Sequence, residues 1–161
     1  MAAGPEVGSE APDITLPGLR LNGTEVERGS YTLSAERGHP VVLAFYPGDE
    51  TAVCTRQMCS YSSGLEEFTG LGATVWGISP QDLESHEKFA RKHDLRLPLL
   101  ADVDRTAVEA YGIGLGSNGL RRAVFIVDGE GIVRYRHVAL VGVTYRSLDT
   151  LKRELSAITA G

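Results

Sequence analysis

Cysteine is scarce in this chain, two in 161 residues, and neither a block of one charge nor a long hydrophobic run is present. Two thiols in a chain of this length cannot make a secreted disulfide framework. A reducing compartment, the cytoplasm, is therefore expected, and each thiol becomes a candidate for chemistry. The 16 Lys and Arg against 21 Asp and Glu give a net charge of −5, with no basic stripe interleaved with aromatics. Nothing there neutralises a phosphate backbone or docks on an anionic membrane, so neither nucleic acid nor a membrane is an expected partner. The longest apolar run without glycine, Val41 to Tyr46, falls far short of the roughly 20 residues that span a bilayer. Met1 to Asp13 lacks the basic start and apolar stretch of a secretory signal and the Arg and Ser richness of a transit peptide. A soluble protein is expected. His39, His86, His93 and His137 share no ligand spacing, so no closed zinc site is legible and no metal or other cofactor is expected.

What is present is enough for a core. With 42% hydrophobic residues, a chain of this length buries roughly 70% of the surface its unfolded form exposes, so residues 1–161 are expected to form one domain without crosslinks. Pro17-Gly18 between two alternating stretches reads as the turn of a small hairpin within Thr15 to Asn22. Gly23 to Gly38 reads as loop with one short strand near Tyr31 to Leu33. Val41 to Tyr46, β-branched and aromatic and flanked by Gly38 and Pro47-Gly48, reads as a strand buried on both faces. Met58, Tyr61, Leu65 and Phe68 then fall on one stripe of an amphipathic helix. Ala73 to Ile78 is a second buried strand, with Ser79 as N-cap and Pro80 as first residue of a helix reaching about His93, which His86 and His93 decorate. A short apolar segment (Leu97 to Ala101), a short helix (Asp104 to Tyr111) and a third strand (Ala123 to Val127) follow. Asp128-Gly129-Glu130-Gly131 turns into Ile132 to Val138, and a last helix has Leu148, Leu151, Leu155 and Ile158 on one face. This order of elements predicts an α/β fold of the thioredoxin-like class: a central mixed sheet with helices on both sides and an N-terminal β-hairpin.

The informative stretch runs from Phe45 to Cys59. Thr51 is well placed as an N-cap, which puts Cys54 third in the helix, where free backbone N–H groups and the positive end of the dipole favour a thiolate. Cys54 also continues the Met58, Tyr61, Leu65 stripe and so faces the sheet. Cys59 lies about 140° further round, in more polar surroundings, and on an ideal helix the two Cα atoms are roughly 8.6 Å apart. That exceeds the roughly 7 Å limit for an unstrained disulfide, so the two join only if the helix unwinds locally. Asp49 and Glu50 oppose a thiolate if they face it. Along the strand that follows, only one of Arg121 and Arg122 shares a face with the site.

The pattern Pro47-x-x-x-Thr51-x-x-Cys54 resembles the active-site motif of the peroxiredoxins, and the C-x4-C spacing is similar to the bacterioferritin comigratory protein group, or Q-type peroxiredoxins. The likeness extends through Gly8-x-x-Ala11-Pro12-Asp13, Gly77-Ile78-Ser79-Pro80, Leu97 to Asp102, Ala110-Tyr111-Gly112 and Arg122 to Gly129. It implies a thiol peroxidase acting on hydrogen peroxide and organic hydroperoxides. In it Cys54 is the peroxidatic cysteine, Thr51 hydrogen-bonds the thiolate and peroxide, Pro47 shields the site, Arg122 orients the peroxide and Cys59 is the resolving cysteine. It further implies a thioredoxin-like reductant and a monomer. The chain departs from that pattern at Ala52, where proline is common, at Gln57, where an acid is frequent, and at Tyr61-Ser62-Ser63, where Phe-Arg-Asp is usual.

Other readings stand beside this one. Either cysteine can be an inert core residue, and Cys59 a spectator to an outside thiol. A copper-binding thioredoxin-fold protein would use both cysteines with a distant histidine such as His137. A dithiol oxidoreductase would need the two sulfurs close in both redox states, which C-x4-C on a helix disfavours. Gly114-Leu115-Gly116-Ser117-Asn118-Gly119 matches G-x-G-x-x-G but precedes a strand instead of opening a helix, so it reads as a loop.

Overall fold

The structure, a computed structural model, describes residues 4–49, 51–115, 119–139 and 146–160. The chain begins with a long antiparallel pair, β1 (Thr15–Asn22) and β2 (Glu25–Thr32). The expected hairpin exists, but its turn is Gly23-Thr24, with Gly23 at φ +65°, and Pro17-Gly18 lies inside β1. Gly18 serves packing: a β-carbon there would sit 2.7 Å from the ring of Tyr31 and 3.1 Å from the Leu99 carbonyl oxygen. The segment read as loop is therefore mostly strand, followed by a 3-10 turn at Leu33–Glu36.

Next come β3 (Val41–Phe45), α1 (Ala52–Ser63) and α2 (Leu65–Gly70). The stripe read as one helix is divided at Gly64, where a β-carbon would meet the Leu148 side chain at 2.4 Å. After β4 (Thr74–Ser79), helix α3 (Leu83–His93) starts three residues later than Ser79-Pro80 suggests. Ser79 pairs with Ala101 in the sheet, and Asp82 is the N-cap, accepting from the Ser85 N–H at 2.9 Å. The rest of the chain forms β5 (Leu99–Ala101), α4 (Thr106–Ala110), the small β6 (Gly114–Leu115) and β7 (Gly119–Leu120) pair, β8 (Ala123–Val127), β9 (Val133–Val138) and α5 (Leu148–Ala160). The G-x-G-x-x-G segment thus lies between β6 and β7, its middle outside the described residues.

Seven strands form one mixed sheet in the order β2-β1-β5-β4-β3-β8-β9. Strand β3 is central because it is apolar on both faces, as alternation requires. Val42 and Ala44 join a core with Cys54, Met58, Phe68, Phe89 and Leu155, whereas Val41, Leu43 and Phe45 join a second core with Val108 of α4, Tyr111 and Phe125. Helices α1, α2, α3 and α5 thus cover one face and α4 the other, the two-sided arrangement that the order of elements predicts. Among the described residues no helix is long and apolar enough to cross a membrane.

Candidate active site

Sheet topology assembles the site. Strand β8 runs antiparallel to β3, so its first residue, Ala123, lies beside Phe45, the last residue of β3. Arg122, just before β8, is thereby brought to the edge from which the chain leaves for α1. Its backbone is held by the Ala139 N–H, which donates to the Arg122 carbonyl at 2.8 Å, while the Arg121 N–H donates to the Ile113 carbonyl at 2.7 Å. Arg105 steadies the same approach through Nη2, which donates to the Gly119 carbonyl at 2.6 Å.

On the other side of the site, Thr51 is the N-cap of α1 and its Oγ1 accepts from the Cys54 N–H at 3.3 Å. Cys54 is the third helical residue, fully buried in the core that Met58 continues. The Arg122 guanidinium, 3% exposed, donates from Nη2 to Cys54 Sγ at 3.2 Å and from Nη1 to Gln57 Oε1 at 2.5 Å. Arg122, and not the half-buried Arg121, is the member of the pair that faces the sulfur. A fixed cation and the free N–H groups of a first turn both stabilise negative charge on that sulfur. Pro47 and Thr51, which bracket the intervening loop, are exposed.

Two groups of polar side chains beside the site escape a reading of the sequence. Gln57, one turn after Cys54, is fully buried and holds Arg122. Its signal was a polar residue three positions from the thiol on an otherwise apolar stripe. The second group lies behind the loop. Asp49 does not oppose the thiolate; it turns toward α3, where its carboxylate accepts from Tyr46 Oη and Ser85 Oγ, each at 2.7 Å, and meets His86 Nδ1 at 2.7 Å. Its backbone N–H donates to Gln81 Oε1. His86, expected on a helix surface, is fully buried. The Leu100 carbonyl, 3.0 Å from Nε2, only accepts, so Nε2–H donates to it while Nδ1 meets the Asp49 carboxylate. Burial and the neighbouring Asp49 push the Tyr46 hydroxyl well above the ordinary tyrosine range, so it remains a donor. Glu50 lies outside the described residues.

This buried pair makes a sharp expectation. His86→Leu leaves the buried Asp49 carboxylate without its imidazole partner and should cost about 3–5 kcal/mol in urea unfolding, whereas Asp49→Asn with His86→Leu should cost less than the two single changes summed. A loss under about 0.5 kcal/mol would instead mark His86 as the surface residue that its helix position suggests.

Cys59 is half-buried against the first core, and both thiols are free. Helix α1 runs unbroken through both, so the helical spacing that keeps them apart applies. Cys59 opens on a cavity of about 530 Å³ lined by Ser62, Glu66, His93, Asp94 and Arg96. Burial pushes its thiol up from the ordinary value. In a Cys54→Ser protein, alkylation of Cys59 should therefore have its midpoint above the roughly pH 8.5 of a free thiol. The three residues of the copper reading do not gather: among the described residues no cluster of three or more His, Cys, Asp or Glu side chains is able to hold a metal, and His137 Nδ1 accepts from Arg146 Nη2 at 2.9 Å.

A buried helix-terminal thiol faced by arginine is an arrangement suited to thiol redox chemistry, and comparison with known proteins gives the class. The family model described as the AhpC/TSA family matches residues 7–136. The peroxiredoxin Bcp of Bacillus subtilis is 35% identical over 156 residues, covering 91% of this chain and 95% of that protein. The chloroplastic peroxiredoxin Q of Oryza sativa subsp. japonica is 35% identical over 130 residues, covering 80% of this chain and 57% of that protein. A reduced 2-Cys peroxiredoxin of Plasmodium vivax superposes with a TM-score of 0.89 at 24% identity, over 96% of this chain and 82% of its own, a likeness of fold. The chain belongs to the AhpC/TSA family and is a thiol-dependent peroxidase with a thioredoxin-like fold, of the Bcp and Q type. Its reaction uses a peroxide and a thiol reductant.

Proposed function

We propose that Cys54 is the peroxidatic cysteine and Cys59 the resolving cysteine of a cycle that reduces hydrogen peroxide and small organic hydroperoxides. The observation that carries this reading is the 3.2 Å contact between Arg122 Nη2 and Cys54 Sγ in the first turn of α1. The thiolate sulfur attacks one peroxide oxygen, the O–O bond breaks, and the other oxygen leaves as water or alcohol after taking a proton. Arg122 holds the peroxide and meets the charge developing on the leaving oxygen. Thr51 hydrogen-bonds the reacting groups and Pro47 covers the approach. The sulfur is left as a sulfenic acid. After α1 unwinds, the Cys59 sulfur displaces its hydroxyl, an S–S bond forms and water leaves. A thioredoxin-like dithiol then reduces the disulfide and is itself oxidised. The cycle needs only one chain, so the reading is of a monomer, placed in the cytoplasm by the scarcity of cysteine.

Intact mass and free-thiol counts after one equivalent of hydrogen peroxide test this. The unmodified protein should lose both thiols to an intramolecular disulfide, and Cys59→Ser should gain one oxygen as a sulfenic acid. Slow thiol loss, indifferent to which cysteine is replaced, would sink the assignment.

A further inference from the structure

Helix α1 carries more than two thiols on its way from the site to the far end of the domain. Cys54, Gln57 and Tyr61 succeed one another at i, i+3 and i+7 on its buried face, and all three are fully covered. Arg122 joins the first two through its bonds to Cys54 Sγ and Gln57 Oε1. Gln57 Nε2 lies 3.4 Å from Tyr61 Oη, and Tyr61 Oη donates at 2.5 Å to the carbonyl of Arg146, two residues before α5. The protons run in one direction. Arg122 only donates, so Gln57 Oε1 accepts and the amide N–H is left to point at Tyr61; the single hydroxyl proton is then directed to the Arg146 carbonyl.

Both links depend on residues where this chain departs from the family pattern. A glutamate at 57 would accept from Arg122 but would have no proton for Tyr61, and would compete with Arg146 for the tyrosine proton. A phenylalanine at 61 would have no proton to donate. The two departures are thus one device, since either alone breaks the relay.

Resting on the reading that Cys54 and Cys59 pair, we propose that Gln57 and Tyr61 are positioning residues whose hydrogen-bond chain to Arg146 holds α1 wound and sets how oxidised Cys54 is partitioned. The sulfenic acid has two fates. Cys59 attacks it, the S–S bond forms, the S–O bond breaks and water departs; or its sulfur attacks a second peroxide, breaking another O–O bond to give a sulfinic acid and one more water or alcohol. Only the first fate requires the turn between Cys54 and Cys59 to open, and Gln57 lies inside that turn. Each bond that holds the turn closed therefore favours the second.

Tyr61→Phe tests this with little disturbance, because the ring keeps its edge-on packing against Phe68, with centroids 6.2 Å apart. At a fixed excess of hydrogen peroxide, the ratio of sulfinic acid to disulfide read by mass spectrometry should fall about three- to tenfold, the range expected for one net hydrogen bond. Phe125→Leu, in the core on the opposite face of the sheet, loosens the protein without touching the chain and should leave the ratio where it is. A Tyr61→Phe ratio no lower than that of Phe125→Leu overturns the inference while Cys54–Cys59 pairing stands. If the unmodified protein forms no disulfide, the pairing fails, and the inference falls with it.

Discussion

Cys54→Ser is expected to reduce peroxide turnover by at least about 10³-fold, the scale of loss seen when a nucleophile is removed from an enzyme whose groups act as a unit. Oxygen replaces sulfur with little change in volume, and the serine hydroxyl can still meet the Arg122 fork, so the fold should persist. What disappears is the nucleophile: a hydroxyl in that place stays protonated at neutral pH and does not displace oxygen from oxygen. Stopped-flow consumption of hydrogen peroxide under excess dithiol, together with an unchanged circular dichroism spectrum, measures both halves. Near-normal turnover in this variant would transfer the chemistry to Cys59 and reduce Cys54 to a core residue.

Arg122→Gln is expected to have the next largest effect, a fall of roughly 10²–10³-fold in the second-order rate of sulfenic acid formation, the range for deleting one preorganised donor from a dry site. Glutamine keeps a donor near the sulfur but loses the permanent charge and the fork that spans Cys54 and Gln57. Arg122→Lys should recover only part of the rate, since an ammonium is a point charge without the two-pronged geometry. The companion change Arg121→Gln, on the neighbouring half-buried residue, should alter the rate less than threefold. Equal effects from the two arginines would mean that bulk charge, and not the contact with the sulfur, governs the step.

What could be read beforehand divides by the range of the interactions involved. Alternation is local, so β3 with its two buried faces is written in Val41 to Phe45, and the cap at Thr51 is written in its distance from Cys54. Gly18 misleads because the reason for it, the ring of Tyr31, arrives from the paired strand; a proline followed by glycine looks like a turn until that ring is in place. Ser79 misleads because its backbone is claimed by the ladder to β5 and its hydroxyl accepts from the Gln81 N–H at 3.2 Å, leaving the cap to Asp82. His86 was hidden for the same reason: among charged neighbours on α3 it looks solvated, and partners distant in sequence, Asp49 37 residues earlier and the Leu100 carbonyl, explain its burial. The Cys54 half of the site is thus legible in a dozen residues, whereas the groups that steady its loop are distributed over three elements.

The pairing of β3 with β8 also has a temporal meaning. Cys54 and Arg122 stand 68 positions apart, and only the closing of that antiparallel ladder brings the guanidinium to the sulfur. A chain emerging from the ribosome exposes its thiol well before it has made the strand that follows Arg122. During that interval the cysteine has no arginine beside it, and if Arg122 activates it as proposed, the thiol meets peroxide no faster than an ordinary one. On that proposal reactivity arrives together with the completed sheet, which spares an immature chain from oxidation at Cys54.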